Sequence, residues 1–322
     1  VSESPEESKT GVKRHLGIYD RTHYGRRKSF LHIMSVPEGV SRQIAAGKYS
    51  VRVHDIHPDG NRVLLGRGWE DLSERPFGKS ELLLMDLRDQ SMERLFEGKW
   101  FRSASWSPDG SRILVTAGPS TFGEDGRDLE KGVIPNDYDT QVYIFDPDTK
   151  EVDPVTKDFD PAINRAMWAN FDGRIYIVAE DTEYVRLYRY DTKKRKLTAL
   201  DLGVDVIRSG DIADTKPVGV FTGSGATHPQ RVYSAELKSS KPKVRVIDEP
   251  GADLFENIRL GDVEPWSFTS SGGYEIVGRV HYPPDFDSDR KYPCIVYYYG
   301  GTSPVSRSFG GRYPKNLWAA MG

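Results

Sequence analysis

The sequence predicts a mainly β protein, in which a β-propeller of four-stranded blades is followed by the first strands of an α/β sheet. Two observations support this prediction. A short turn recurs between apolar strands along the chain, and the repeat stops near residue 250, where a different pattern begins. A period of roughly 45 to 60 residues is typical of propeller blades, which bury their faces only against neighbouring blades.

The recurring turn contains Asp-Gly, preceded by Pro in its first two copies. It occupies residues 57–60, 107–110 and 170–173, with a degenerate copy at residues 213–216. Proline presets φ, aspartate bonds the local backbone and glycine accepts positive φ, so each copy is predicted to join two strands tightly. A second hairpin follows each copy and runs into an acidic residue. These residues are Asp86, Asp146, Asp191 and Glu236.

Each repeat therefore offers four strands. An earlier hairpin at residues 30–34 and 41–44 fits the end of another blade. The sequence predicts about four whole blades and one partial blade within residues 1–255, a propeller that is incomplete at its N-terminus.

Residues 256–322 are predicted to begin a second domain that is incomplete at its C-terminus. A strand, a Ser-Gly-Gly turn and a second strand are predicted over residues 266–282. Residues 292–301 are almost continuously apolar, which is typical of a strand buried on both faces of a mostly parallel sheet. A helix is predicted around residues 315–321.

Composition limits the classes of partner. The chain has 322 residues, of which 37% are apolar and 29% charged, with a net charge of −3. This charge balance argues against nucleic acid as a partner, and no apolar run reaches the ~18 residues of a membrane span. The single cysteine, Cys294, leaves the compartment open, with a periplasmic or secreted setting slightly favoured over the cytoplasm.

Two stretches of the second region resemble the prolyl oligopeptidase family of serine peptidases, including its dipeptidyl-peptidase and acylaminoacyl-peptidase branches. They read Gly-Arg-Val-His-Tyr-Pro-Pro-Asp-Phe from Gly278 and Lys-Tyr-Pro-Cys-Ile-Val-Tyr-Tyr-Tyr-Gly-Gly from Lys291. The resemblance implies a propeller followed by an α/β-hydrolase domain, a peptide substrate and no cofactor. It also implies that Tyr299 donates its phenol to the oxyanion of acyl transfer. Gly300 and Gly301 would permit the turn and a close approach of the backbone.

Alternatives stay open for Tyr299 and for the activity. Tyr297 and Tyr299 share one face of a strand and Tyr298 the other, so Tyr299 could serve packing alone. The function predicted is a serine peptidase that cuts small peptides through an acyl-enzyme, with the propeller as a size filter. An esterase or other acyl hydrolase on the same scaffold, and a non-catalytic propeller that binds peptides or proteins, are the alternatives. Homo-oligomerisation is left open.

The catalytic triad is not found in this sequence. No Gly-x-Ser-x-Gly elbow occurs among its 322 residues, so the serine, acid and histidine are expected beyond Gly322. By itself the chain is expected to be inactive.

Two other polar features need an interpretation. His54 and His57 are three apart in a strand and point to opposite faces, so no metal site is predicted. Residues 117–139 form an acidic insertion, interpreted as a solvated loop or as a receptor for a peptide's amino terminus.

Overall fold

The computed structural model describes residues 2–3, 11, 27–71, 73–123, 133–298 and 306–322. The chain divides into two compact units, Val1–Phe159 and Asp160–Gly322. Across these described ranges, no helix has the length and apolar character needed to cross a membrane.

The first unit contains two antiparallel meanders of four strands, in which sequence order is also the order across the sheet. The first comprises β5 (Val51–Ile56), β6 (Arg62–Glu70), β7 (Gly78–Asp86) and β8 (Met92–Gly98). The second comprises β9 (Phe101–Trp106), β10 (Ile113–Ala117), β11 (Gln141–Phe145) and β12 (Val152–Pro154). Two short pairs precede them, β1 (Ser2–Glu3) with β2 (Lys28–Ser29) and β3 (His32–Met34) with β4 (Ser41–Gln43).

The second unit contains two further meanders. They are β13 (Ala162–Trp168), β14 (Ile175–Asp181), β15 (Tyr184–Asp191) and β16 (Lys196–Leu200), then β17 (Val206–Ile212), β18 (Val218–Gly225), β19 (His228–Glu236) and β20 (Lys243–Asp248). A parallel bridge between Val185 and Val206 joins them. The chain continues through α1 (Ala252–Phe255), the hairpin of β21 (Val263–Thr269) and β22 (Glu275–His281), and α2 (Lys315–Ala320).

The core of each unit lies between its meanders, because the middle strands are apolar on both faces. In the first unit, Ile113 and Val115 of β10 are fully buried and share a cluster with Leu64 of the preceding meander. In the second unit, Leu187 and Phe221 share a cluster in the same way. Within each unit, one meander thus buries its apolar face against the other, as expected of propeller blades.

The recurring turn is confirmed. Gly60, Gly110 and Gly173 have φ values of 74°, 72° and 68°, which suit glycine. The degenerate copy also closes a hairpin, through a 2.9 Å bond from the Ala213 amide to the Val218 carbonyl. The four meanders and the additional β3–β4 hairpin match the four whole blades and one partial blade that the sequence predicts. The fold is mainly β and propeller-like.

After residue 250, the structure confirms two of the predicted elements and contradicts a third. The predicted strand–turn–strand is the β21–β22 hairpin, and the predicted helix is α2. The apolar run was expected as a strand buried on both faces, but residues 292–298 form no strand, and Ile295 and Val296 are 67% and 79% exposed. Cys294 in this run is exposed as well. A strand buried on both faces needs neighbouring strands at its edges and elements packed over both of its faces, and the described residues supply no such arrangement for this run.

The start of an α/β-hydrolase domain and its boundary after residue 255 stay predictions.

Candidate functional site

The predicted site residues Tyr299, Gly300 and Gly301 lie outside the described residues. The chain on either side of them is described. Immediately before them, the ring of Tyr297 lies 4.6 Å from that of Tyr313, and Tyr313 in turn contacts Trp318 of α2. Tyr297, two residues before Tyr299, is therefore packed against a residue of the described segment 306–322.

On the other side, Arg307 is bound to the turn between β14 and β15. Its backbone amide donates to the Glu183 carbonyl at 2.9 Å, and its Nη1 donates to Glu183 Oε1 at 3.1 Å. Its Nε donates to Asp205 Oδ2 at 3.0 Å. One arginine thus bonds two carboxylates, one in the turn between β14 and β15 and one in the connection that precedes β17.

A second guanidinium completes the group. Arg279, on β22, donates from Nη1 to Glu183 Oε2 at 2.6 Å and from Nη2 to the Ser306 carbonyl at 2.6 Å. Each oxygen of the Glu183 carboxylate therefore accepts from a different arginine. We refer to Glu183, Asp205, Arg279 and Arg307 as the arginine–carboxylate network.

The network is largely shielded from water and is balanced in charge. The exposed fractions of the side chains are 8% for Arg279, 11% for Arg307, 17% for Glu183 and 30% for Asp205. Burial opposes the charge on Arg307, but the bonds to Asp205 and Glu183 outweigh it and raise the pKa of Arg307. Arg307 also lies over the ring of Tyr184, 5.2 Å from its centroid.

The turn that presents Glu183 is strained. Thr182 has a φ of 56°, an uncommon value for a β-branched residue that costs on the order of 1 kcal/mol. Asp205 immediately precedes β17, and its Oδ2 also accepts from the Ala226 amide at 3.2 Å. Connections between strands, and not the strands themselves, supply both carboxylates.

The start of α2 is attached to the connection between β18 and β19. Asn316 Nδ2 donates to the Ala226 carbonyl at 2.9 Å, and Asn316 Oδ1 lies 2.9 Å from His281 Nδ1. Burial lowers the pKa of His281, so the neutral ring donates from Nδ1. His281 Nε2 is buried and has no hydrogen-bond partner within the described part of the chain.

The two histidines and the acidic insertion that the sequence analysis considered lie far from the arginine–carboxylate network in the sequence. His54 contacts Phe101 and His57 contacts Trp106, at centroid distances of 4.9 Å and 4.6 Å. Within the acidic insertion, Asp137 Oδ1 accepts from the Ser120 amide at 2.8 Å and from its hydroxyl at 2.6 Å. Residues 124–132, which hold most of the predicted acidic groups, lie outside the described residues.

Sequence reasoning did not find the arginine–carboxylate network. Its members are separated by 96, 102 and 124 positions, so no local spacing connects them. One signal existed: Arg279 lies within the stretch, beginning at Gly278, that carries the family resemblance.

Comparisons with known proteins agree with the sequence resemblance. No family model matches the chain. The chain is 25% identical, over 294 residues, to "Probable dipeptidyl-aminopeptidase B" of Coccidioides posadasii, in two strains. The match covers 81% of this chain but 30% of the relative, so the chain spans less than a third of that protein's length.

Two solved structures share the fold. A puromycin hydrolase mutant complexed with PGG is 16% identical with a TM-score of 0.56, covering 84% of this chain and 41% of that one. An acylaminoacyl peptidase of Pyrococcus horikoshii is 17% identical with a TM-score of 0.53, covering 91% of this chain and 53% of that one. These comparisons confirm the resemblance carried by the stretches at Gly278 and Lys291: the chain is a propeller-like portion similar to peptidases of the prolyl oligopeptidase family.

Proposed function

We propose that this chain is part of a serine peptidase that hydrolyses peptide bonds of small peptides through an acyl-enzyme. The propeller-like blades would limit access by size. The observation that carries this proposal is the sequence similarity to a protein named as a dipeptidyl-aminopeptidase. The two solved structures with a similar fold support the proposed architecture but not the activity, because one fold can carry many functions.

The proposed chemistry needs a donor for the oxyanion of the tetrahedral intermediate. Tyr299 fits this role, since a phenol can donate to a developing negative charge in a site shielded from water. Gly300 and Gly301 would allow the backbone to approach the substrate closely. No nucleophile elbow occurs in the 322 residues, so we assign the triad to the rest of the protein and expect this chain alone to be inactive.

The described contacts on both sides of Tyr299 support its role. An oxyanion donor contributes most when its position is fixed before the reaction begins, because no reorganisation is then needed. Tyr297 is packed on Tyr313, and Arg307 is bonded to Glu183. The chain is therefore held two residues before Tyr299 and again at Arg307.

The test uses the full-length protein and the Tyr299→Phe variant, which removes only the phenol oxygen. We expect kcat for a peptide substrate to fall by roughly 10²- to 10³-fold, the usual loss for one oxyanion donor, with KM little changed. Tyr298→Phe is the matched control, because the Tyr298 side chain is 86% exposed and should be dispensable. Full activity in Tyr299→Phe would contradict the proposed role.

Two measurements separate the proposal from its alternatives. Labelling of the full-length protein by a serine-directed fluorophosphonate is expected, and its absence would favour a non-catalytic binding module. Hydrolysis of a peptide amide and of the ester with the same acyl group should both occur. Cleavage of the ester alone would favour an esterase.

A further inference from the structure

One peptide group after Tyr299 is held at both of its polar ends. The Ser306 carbonyl accepts from Arg279 at 2.6 Å, and the Arg307 amide of the same peptide group donates to the Glu183 carbonyl at 2.9 Å. This group lies seven positions beyond Tyr299 in the sequence. Its orientation is therefore set by the arginine–carboxylate network.

The network has the properties of a rigid support. Exposed ion pairs contribute little, because water screens them and long side chains lose entropy. Here both guanidinium groups are at most 11% exposed, and each is bonded to a carboxylate. Loss of one carboxylate would leave a buried positive charge without compensation, which favours a single arrangement of all four groups.

The network is also separate from the core that stabilises the blades. The buried cluster of the second unit consists of apolar residues such as Tyr176, Leu187 and Phe221. Glu183 and Asp205 lie in the connections at the ends of these strands. Neutralising one of them should alter the segment at residues 306–307 and leave the meanders folded.

We infer that Glu183 and Asp205 are positioning residues for the proposed acyl transfer, acting through Arg279 and Arg307 on the chain that follows Tyr299. This inference rests on the proposed function. Neither carboxylate is proposed to touch substrate. Their contribution is to hold the peptide group of residues 306 and 307, close in sequence to the proposed oxyanion donor, and a misplacement of about 1 Å at a reacting group can cost 10²-fold in rate.

The principal variant is Glu183→Gln in the full-length protein, which keeps the shape of the side chain and removes its charge. We expect kcat per fluorophosphonate-titrated site to fall by roughly 10- to 10²-fold, with KM within about twofold of wild type. Hydrogen exchange at the Arg307 amide should become faster. Glu183→Asp, which restores the charge on a shorter side chain, should recover part of the rate.

Asp211→Asn is the matched control. Asp211 is 84% exposed, its Oδ1 accepts from the Ile212 amide at 2.9 Å and lies 3.9 Å from Arg165, and none of these contacts involves the network, so this variant should retain the wild-type rate and the wild-type exchange at Arg307. Titration of active sites removes any difference in the folded fraction, so a merely structural role would not lower the rate per site.

The outcomes distinguish this inference from the proposed function. A wild-type protein that neither cleaves peptides nor reacts with the fluorophosphonate would refute the proposed function. An active wild type whose Glu183→Gln variant keeps its rate per site would overturn the inference alone. Should Glu183→Gln fail to fold, Asp205→Asn takes its place, because in the described contacts Asp205 bonds Arg307 whereas Glu183 bonds both guanidinium groups. The Asp205→Asn variant should lower kcat per titrated site by a smaller factor than is expected for Glu183→Gln. An unchanged rate per site would overturn the inference.

Discussion

The ring of His54 packs against Phe101 and lies directly over Gly66, where a Cβ would come within 2.2 Å of His54 Nε2. Burial, with a smaller contribution from Arg52, lowers the pKa of His54 from 6.5 to about 4. The imidazole of His54 is partly buried and has no carboxylate partner among the described residues, so its charged form is disfavoured, whereas Arg307 keeps its charge because two carboxylates accept from it. Partners, more than burial alone, decide which buried groups are ionised.

The stability of the chain should therefore depend on pH between 6.5 and about 4. In this window the unfolded chain protonates His54 and the folded chain does not, so stability is fully present above pH 6.5 and is lost as pH falls. One such proton gives a slope of up to about 1.4 kcal/mol per pH unit. Urea unfolding at several pH values measures this slope of the unfolding free energy.

The His54→Gln variant provides the control for this slope. It should flatten the dependence, and adding His281→Gln should flatten it further, because burial also lowers the pKa of His281. An identical slope in wild type and in the double variant would show that other groups cause it.

At the scale of elements, the repeat is reinforced by ion pairs that connect the start of one strand to the end of the next. Arg112 pairs with Asp146 at 3.0 Å, and Arg174 pairs with Asp191 at 3.1 Å. Each arginine lies within two residues after the recurring turn, and each aspartate is one of the acidic residues that end the repeats. In the second and third meanders the sequence period therefore reflects a contact within the meander, which helps to explain why these elements could be predicted.

Two copies of the turn differ in their surroundings and allow a matched experiment. Gly60 has nothing within 4 Å of an added Cβ, whereas at Gly110 that atom would lie 2.2 Å from His57 Nε2. Gly60→Ala should cost about 1 kcal/mol for its positive φ alone. Gly110→Ala should cost a further ~1–3 kcal/mol from overpacking.

Denaturant midpoints of the two variants, compared with wild type at constant slope, measure this difference. Equal destabilisation by both substitutions would mean that the His57 ring moves aside freely, contrary to its fixed contact with Trp106.

For the whole molecule, the predictable part is the part that is local in sequence. The meanders pair strands within one repeat, and composition and turn chemistry were enough to place them. The arginine–carboxylate network joins residues up to 124 positions apart, which no spacing rule connects. The apolar run at residues 292–301 was assigned to a buried strand from its composition, but burial also needs elements packed over both faces, and in its described part Ile295 and Val296 are exposed. Tyr299 stays a prediction.

The exposed apolar run has a consequence for behaviour in solution. Ile295, Val296 and Tyr298 are 67%, 79% and 86% exposed, an unusual concentration for a monomeric surface. The 322-residue chain should therefore bind the dye ANS in its folded state. The Ile295→Thr/Val296→Thr double variant should lower the dye emission.

Leu254→Ser is the control for dye binding, since Leu254 is 75% exposed on α1, outside the run. If the control lowers the emission as much as the double variant does, the run at residues 292–298 is not the surface that the dye recognises.

The β10–β11 hairpin shows how this architecture accommodates variation. Its strands stay in register from Ile113 opposite Phe145 to Ala117 opposite Gln141, although the connection between them includes the acidic insertion. Closing a loop of twice the length costs only about 0.6 kcal/mol. New sequence can therefore accumulate at such a connection almost without thermodynamic penalty, and related proteins could diverge in what they recognise while inheriting the same sheets.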